Sequence, residues 1–232
     1  MSQGTQAFFP LAGGEGKITQ LRCLNDPDPS GKSMIAQVIG KNSLNEKVSN
    51  ILGAARGFSP SLLGKHVVVR FPDTKNSFDG ESYGLALAIA DRLLFEGMTG
   101  INRRIYATGL IRESGSGEID AVDPGTFLNK VQLIAQNAGQ GDVFVFPFDN
   151  WRDSDPEVVN SVKAMKNNGV VVAHARHMNE LAFLWAKPKP AKEQQPQSAF
   201  PFWTFGSQDL ALAVASGLLV AVLAVTLLTN LD

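Results

Sequence analysis

The chain is 232 residues long, enough for one ordinary domain with a substantial core and an appendage, but not for a second large domain. Its 21 basic and 22 acidic residues leave a net charge of −1 with no basic block, so the charge pattern offers nucleic acid no electrostatic footprint. The single cysteine, Cys23, excludes an intramolecular disulfide; it fits a reducing compartment and a buried, inert thiol.

In chain order, residues 1–16 have neither a basic start nor a long apolar segment, which argues against a cleaved secretory signal, and residues 1–15 read as an N-terminal extension. Residues 18–24 and 34–39 are apolar stretches flanking Asp26-Pro27-Asp28-Pro29-Ser30-Gly31, a cluster of turn formers that predicts a hairpin-like pair. Ser43 and Glu46 have the spacing of a capping box, and Leu44, Val48, Ile51, Leu52 and Ala55 form the apolar stripe of a helix that Gly57 stops. Residues 66–71 predict a strand, 82–95 a helix, 105–108 a strand, 118–122 a short strand or turn, and 126–137 a helix. Then come a strand at 142–146, a helix at 155–166 opened by Pro156, a strand at 170–175 and a closing helix at 178–186. There is no internal repeat, and residues 16–186 predict one domain of the α+β or α/β class.

The end of the chain differs in kind. Residues 187–205 are a tether rich in Pro, Lys and Gln that ends in an aromatic interface of Phe200, Phe202, Trp203 and Phe205. Residues 206–232 read as a transmembrane tail anchor: Leu210 opens and Leu228 closes a run of nineteen residues without a charge, and about 1.5 Å of rise per residue nearly spans a bilayer core. Lys187, Lys189 and Lys192 precede that run, so the positive-inside bias predicts a single-pass protein with its domain on the cytoplasmic side of the inner membrane.

Two residues carry the chemistry. Ser82, in Phe78-Asp79-Gly80-Glu81-Ser82-Tyr83-Gly84, precedes the apolar run Leu85-Ala86-Leu87-Ala88-Ile89-Ala90 and so offers a hydroxyl at a helix start; an ordinary N-cap is its structural alternative. Lys130 lies among Phe127, Val131 and Ile134 on the apolar stripe of its helix, where burial disfavours the ammonium and lowers the pKa toward that of a general base; the alternative is a snorkelling side chain with only its stem buried.

Other patterns compete less well. Gly31-Lys32-Ser33 lacks the first glycine of a phosphate loop, because Asp26 stands there, and His66, His174 and His177 lack metal-site spacing. Gly80-Glu81-Ser82-Tyr83-Gly84 matches the G-x-S-x-G elbow of α/β-hydrolases, with Asp149, Asp153 and His174 in triad order, but residues 72–77 separate the preceding strand from the serine.

From about residue 16 to 186 the chain resembles the proteolytic domain of the Lon protease family. The matching blocks are His66-Val67-Val68-Val69-Arg70-Phe71-Pro72, Asp79-Gly80-Glu81-Ser82-Tyr83-Gly84 against D-G-x-S-A-G, Ala107-Thr108-Gly109, Lys130-Val131 at the end of a G-G-L-K-E-K-like segment, and residues 139–147. The resemblance implies Ser82 as nucleophile, Lys130 as general base, Thr108 as an orienting hydroxyl, and Gly80, Glu81 and Tyr83 as supporting positions around an oxyanion site. It implies no metal and no other cofactor. Tyr83 replaces a small residue, Leu128 replaces the first lysine of its motif, and the Ser- and Gly-rich residues 112–117 lengthen the connection between Thr108 and Lys130 as a flexible loop. The family's ATPase module is absent. The implied function is a membrane-tethered, ATP-independent serine endopeptidase acting on unfolded or partner-presented proteins, in ring-shaped homo-oligomers such as hexamers, with room for a separate ATPase or regulatory partner. A non-catalytic scaffold on the same fold is the alternative.

Overall fold

The computed structural model describes residues 4–11, 16–26, 34–72, 80–99 and 102–186. Residues up to Ala186 form one unit and Lys187 begins a second. The predicted tether and transmembrane tail, residues 187–232, lie outside the described residues, as do Phe78, Asp79 and Gly31-Lys32-Ser33. Among the described residues no helix is long and apolar enough to cross a membrane.

Strands β1 (Thr5–Leu11), β2 (Lys17–Asn25), β3 (Ala36–Val38), β4 (Val67–Arg70), β5 (Ile105–Ala107), β8 (Val143–Pro147) and β9 (Val171–Ala175) form a seven-stranded sheet in the order β3-β4-β2-β1-β5-β8-β9. β6 (Leu110–Ile111) and β7 (Ile119–Asp120) form a separate short hairpin. The β1–β2 and β2–β4 pairs are antiparallel and the other pairs of the large sheet parallel, so the domain is mixed α/β with a mostly parallel sheet.

Side-chain alternation divides the core into two layers. On β5 and β8, Ile105, Ala107, Val143 and Val145 face helices α1 (Asn45–Arg56) and α2 (Gly84–Phe95). Tyr106, Phe144 and Phe146 face helices α3 (Pro124–Asn137) and α5 (Pro156–Asn167) on the other side. Helix α2 is apolar nearly all round and accordingly buried; Leu85, Leu87 and Ile89 are fully enclosed, each contributing about 1.5–3 kcal/mol by burial. Asp123 and Asp155 cap α3 and α5 by accepting backbone N–H bonds, and the proline that follows each has a φ suited to a first helical residue and no N–H left to satisfy.

Several expectations from the sequence are corrected. Residues 1–15 are not merely an extension, because β1 lies between β2 and β5 and its Ala7 and Phe9 are core. The hairpin of residues 18–24 with 34–39 does not form, because β4 inserts between β2 and β3 and pairs with both. Ser43 makes no capping box: it lies in a 3-10 turn, Asn42–Leu44, and α1 starts behind it without a side-chain cap. The nearby Asn45 carboxamide accepts instead from the Val38 N–H at 2.7 Å. The closing segment Met178–Leu184 is 3-10 rather than α, capped by His177. β6 and the short helix α4 (Phe148–Arg152) had no signal strong enough to predict them.

The segment expected to be a flexible loop is pinned. Its Ser116 carbonyl accepts from His177 Nε2, its Gly117 carbonyl accepts from the Met178 N–H at 2.9 Å, and Arg112 pairs with Glu118 and Asp120. Gly57 at the end of α1 lies so close that a Cβ there would come to 1.3 Å from the Gly115 carbonyl oxygen. Gly57 has right-handed helical geometry, so Gly57→Ala meets no backbone strain, only that clash. The variant is expected to lose about 1–3 kcal/mol as the β6–β7 hairpin is pushed outward, read from its urea midpoint. An unchanged midpoint would mean the hairpin does not pack there in solution.

Candidate active site

Ser82 sits in the turn that delivers the chain into α2. Gly80 has φ 96, a left-handed conformation that glycine adopts without a steric penalty, and the Gly84 N–H donates to the Glu81 carbonyl at 2.7 Å. Two backbone bonds stitch this turn to the residue two past β5: the Gly109 N–H donates to the Ser82 carbonyl at 2.9 Å, and the Leu85 N–H donates to the Gly109 carbonyl at 3.0 Å. Ser82 is half-buried. Its N–H donates to no acceptor among the described residues, which leaves a positively polarised donor beside the hydroxyl.

The flanking residues diverge. Tyr83 is buried, its ring centroid 5.8 Å from Phe9 and 5.7 Å from Phe71, so its bulk is taken up by the core rather than placed over the serine. Glu81 is exposed and pairs with Lys47 at 3.2 Å, at the lip of a cleft of about 240 Å³ whose walls include Glu46, Ile51, Ile111 and Glu113. Neither Ser82 nor Lys130 lines that cleft.

Thr108 is fully buried between the two layers. Its N–H donates to the Val145 carbonyl at 3.2 Å, and its hydroxyl has no hydrogen-bond partner among the described residues. A buried hydroxyl left unpaired costs free energy, a condition Thr108 shares with Thr19 on β2.

Lys130 is 7% exposed, inside the α3 face formed by Phe127, Val131 and Ile134. Burial holds its amine below the ordinary lysine pKa, and the Asp123 carboxylate pulls weakly the other way. It forms no hydrogen bond or ion pair among the described residues. A lysine buried without a partner is expensive to keep charged, as a general base requires.

Ser82 leads into α2 and Lys130 belongs to α3, helices that pack on opposite faces of the sheet. Residues 108–111 run from the end of β5 across the sheet's rim. There Gly109 holds the Ser82 turn, Leu110 packs with the layer containing Phe127 and Val131, and Ile111 packs with the layer containing α2. Gly109, next to Thr108 in the chain, thus bonds the Ser82 turn directly, while Lys130 lies on α3 in the layer on the other side of the sheet. No hydrogen bond joins Ser82 to Lys130 among the described residues.

The rival triad does not assemble. His174 stacks on Trp151 at 5.8 Å and meets Phe148 edge-on, while Asp149 and Asp153 both pair with Arg152. Among the described residues no group of His, Cys, Asp and Glu side chains could hold a metal ion. Two further residues bear on the start of the lysine's helix. Asp123 was detectable as Asp followed by Pro at a helix start, whereas Asn150, whose side chain bonds Val122, had no local signal because its partner is 28 residues away. No protein-family model matches the chain, and no curated protein matches it.

Proposed function

We propose that this chain is a membrane-tethered serine endopeptidase of Lon-like type that works without ATP, with Ser82 as nucleophile and Lys130 as general base. What supports the reading is a lysine buried on the apolar face of its helix with no hydrogen bond or ion pair among the described residues, together with a half-buried serine at a helix start. Neutral Lys130 takes the Ser82 hydroxyl proton as Oγ bonds to the scissile carbonyl carbon; the carbonyl electron pair becomes an oxyanion, which the Ser82 N–H meets. Collapse of that oxyanion breaks the C–N bond, and the Lys130 ammonium returns its proton to the departing amine. Water then attacks the acyl ester, Lys130 takes its proton, and that proton goes back to Ser82 as the acid leaves. Thr108 supplies the hydroxyl that orients the amine.

The uncharged stretch between Leu210 and Leu228 supports anchorage in the inner membrane with the domain on the cytoplasmic side. Substrates are unfolded or partner-presented proteins, and the resemblance adds a homo-oligomeric ring and room for a separate ATPase. A non-catalytic scaffold is the second reading, favoured by the absence of a Ser82–Lys130 hydrogen bond, although such bonds commonly tighten only when substrate arrives. The test is peptide release from unfolded casein by the full-length chain in detergent. Release is expected from the parent and not from Ser82→Ala or Lys130→Ala. Release surviving both substitutions, or absent from the parent in every oligomeric state, would overturn the proposal.

A further inference from the structure

We infer that Asn150 is a positioning residue for Lys130: its side-chain amide decides where helix α3 begins and so how deeply the lysine is seated. The inference rests on the Ser82–Lys130 reading. Asn150 belongs to α4, the short helix directly after β8, and is only 6% exposed. Its Oδ1 accepts from the Val122 N–H at 2.9 Å, and its Nδ2 donates to the Val122 carbonyl, also at 2.9 Å. A side chain thereby satisfies both polar groups of one residue, as a neighbouring strand would. Among side chains of this length only an amide offers a donor and an acceptor together; Asp lacks the donor, and Ser or Ala cannot span the gap.

The clamp sits immediately before the helix start. Asp123 follows Val122, its carboxylate accepts from the Gly125 N–H at 3.2 Å, and its carbonyl accepts from the N–H groups of Thr126 and Phe127 at 3.1 Å. Lys130 lies about 10 Å further along the helix, seven residues at about 1.5 Å each. The apolar contacts of Phe127, Val131 and Ile134 hold α3 against the sheet but are non-directional, whereas two hydrogen bonds of fixed geometry set its position along its own axis. Asp123 is the charged group acting on Lys130 among the described residues, and its place is fixed by the same clamp. Without Asn150, the Val122 N–H and carbonyl are left buried and unpaired; they must move toward water, carrying the start of α3 with them. Lys130 is then better hydrated and more readily charged.

The experiment follows the Lys130 amine itself, by pH titration of its 13Cε resonance in full-length chain labelled at lysine, with Lys130→Arg to assign the signal. In Asn150→Ala the midpoint is expected to rise by about one pH unit, and the acid limb of kcat/KM to move up with it. At neutral pH kcat should fall about tenfold or more, with KM within about twofold of the parent, because substrate contacts are untouched. Val162→Ala, which loosens the α5 side of the same layer without touching the clamp, should leave the midpoint in place. Asn150→Ser, the milder change, gives the same reading if the alanine variant does not fold. A midpoint unmoved in both Asn150 variants, or moved equally by Val162→Ala, overturns the inference. The titration needs no turnover, so a parent that cleaves nothing would sink the protease reading while the midpoint still decides the role of Asn150.

Discussion

Lys130→Met is expected to abolish peptide-bond cleavage and, at the same time, to make the domain more stable at neutral pH. The first effect follows from the mechanism: removing the proton acceptor should lower the rate at least about a thousandfold, with Ser82 still in place. The second follows from the environment. Folding places the lysine where its charged form is disfavoured, so its folded pKa lies below the ordinary value of 10.5. A group depressed in this way penalises the fold in full at pH values below its folded pKa. The penalty shrinks as pH rises through the interval up to 10.5 and vanishes above it. Methionine fills similar space without charge, and the gain should be about 1 kcal/mol at pH 7, or roughly 2–4 °C in melting temperature for a domain of this size. The gap between parent and variant should close on the alkaline side. Cleavage by the parent should rise with pH across the same interval, because only the neutral amine accepts the proton. Calorimetric melts at pH 7 and above 10.5, beside the casein assay, check both effects. A variant that melts lower than the parent at pH 7 would mean that the amine reaches water and is not poised as a base.

Removing one partner of the buried Arg56–Asp91 pair is expected to cause the largest single loss of stability outside the apolar core, and the loss should differ between the two sides. Arg56 and Asp91 join α1 to α2 with both side chains 2% exposed, Nε donating to Oδ2 at 2.8 Å and Nη2 donating to Oδ1 at 2.6 Å. Arg56 Nη1 also donates to the Lys65 carbonyl at 2.6 Å, and the guanidinium lies 5.2 Å from the centre of the Phe95 ring. Burial raises the Asp91 carboxyl above its ordinary value even against the pull of Arg56, so desolvation is the larger influence on that carboxylate. Breaking the pair should therefore cost about 3–5 kcal/mol, with Asp91→Leu the worse of the two single changes. An orphaned Asp91 can take up a proton and relieve itself, whereas an orphaned guanidinium cannot lose one. The Arg56→Met variant should accordingly recover part of its loss as pH falls, and Asp91→Leu should not. The double variant should regain much of what either single change loses. Urea unfolding of the three variants at pH 5 and pH 7 tests this, and additive losses in the double variant would refute the coupling.

Much of the local structure was legible in the sequence because its causes are local. The apolar run after Ser82 becomes a buried helix since no face of it tolerates water, and Asp155-Pro156 starts a helix through bonds that span two or three residues. The apolar residues at helical spacing around Lys130 predict its burial, and it is 7% exposed. Features set by distant parts of the chain leave no such local mark. β1 looks like part of an extension because its seven residues, with Pro10 among them, are unremarkable alone; their value lies in neighbours reached only after the chain has returned. The turn formers between β2 and β3 signal a reversal, but a turn does not say whether the strands on either side will pair, and β4 takes the place between them. Ser43 and Glu46 have capping-box spacing, yet Asn45 beside them is engaged by Val38 and a 3-10 turn forms instead.

The sequence by itself determined most of the longer helices and strands, which lysine would be kept from water, and which serine stands at a helix start, since each depends on the order of apolar and polar side chains over a few residues. Only the tertiary structure decided which strand lies beside which. It also decided that the helices carrying Ser82 and Lys130 pack on opposite faces of the sheet, and that an asparagine in another element bonds the residue just before the lysine's helix. Those relations depend on hydrogen bonds and packing between residues far apart in the chain, whose partners no local pattern names.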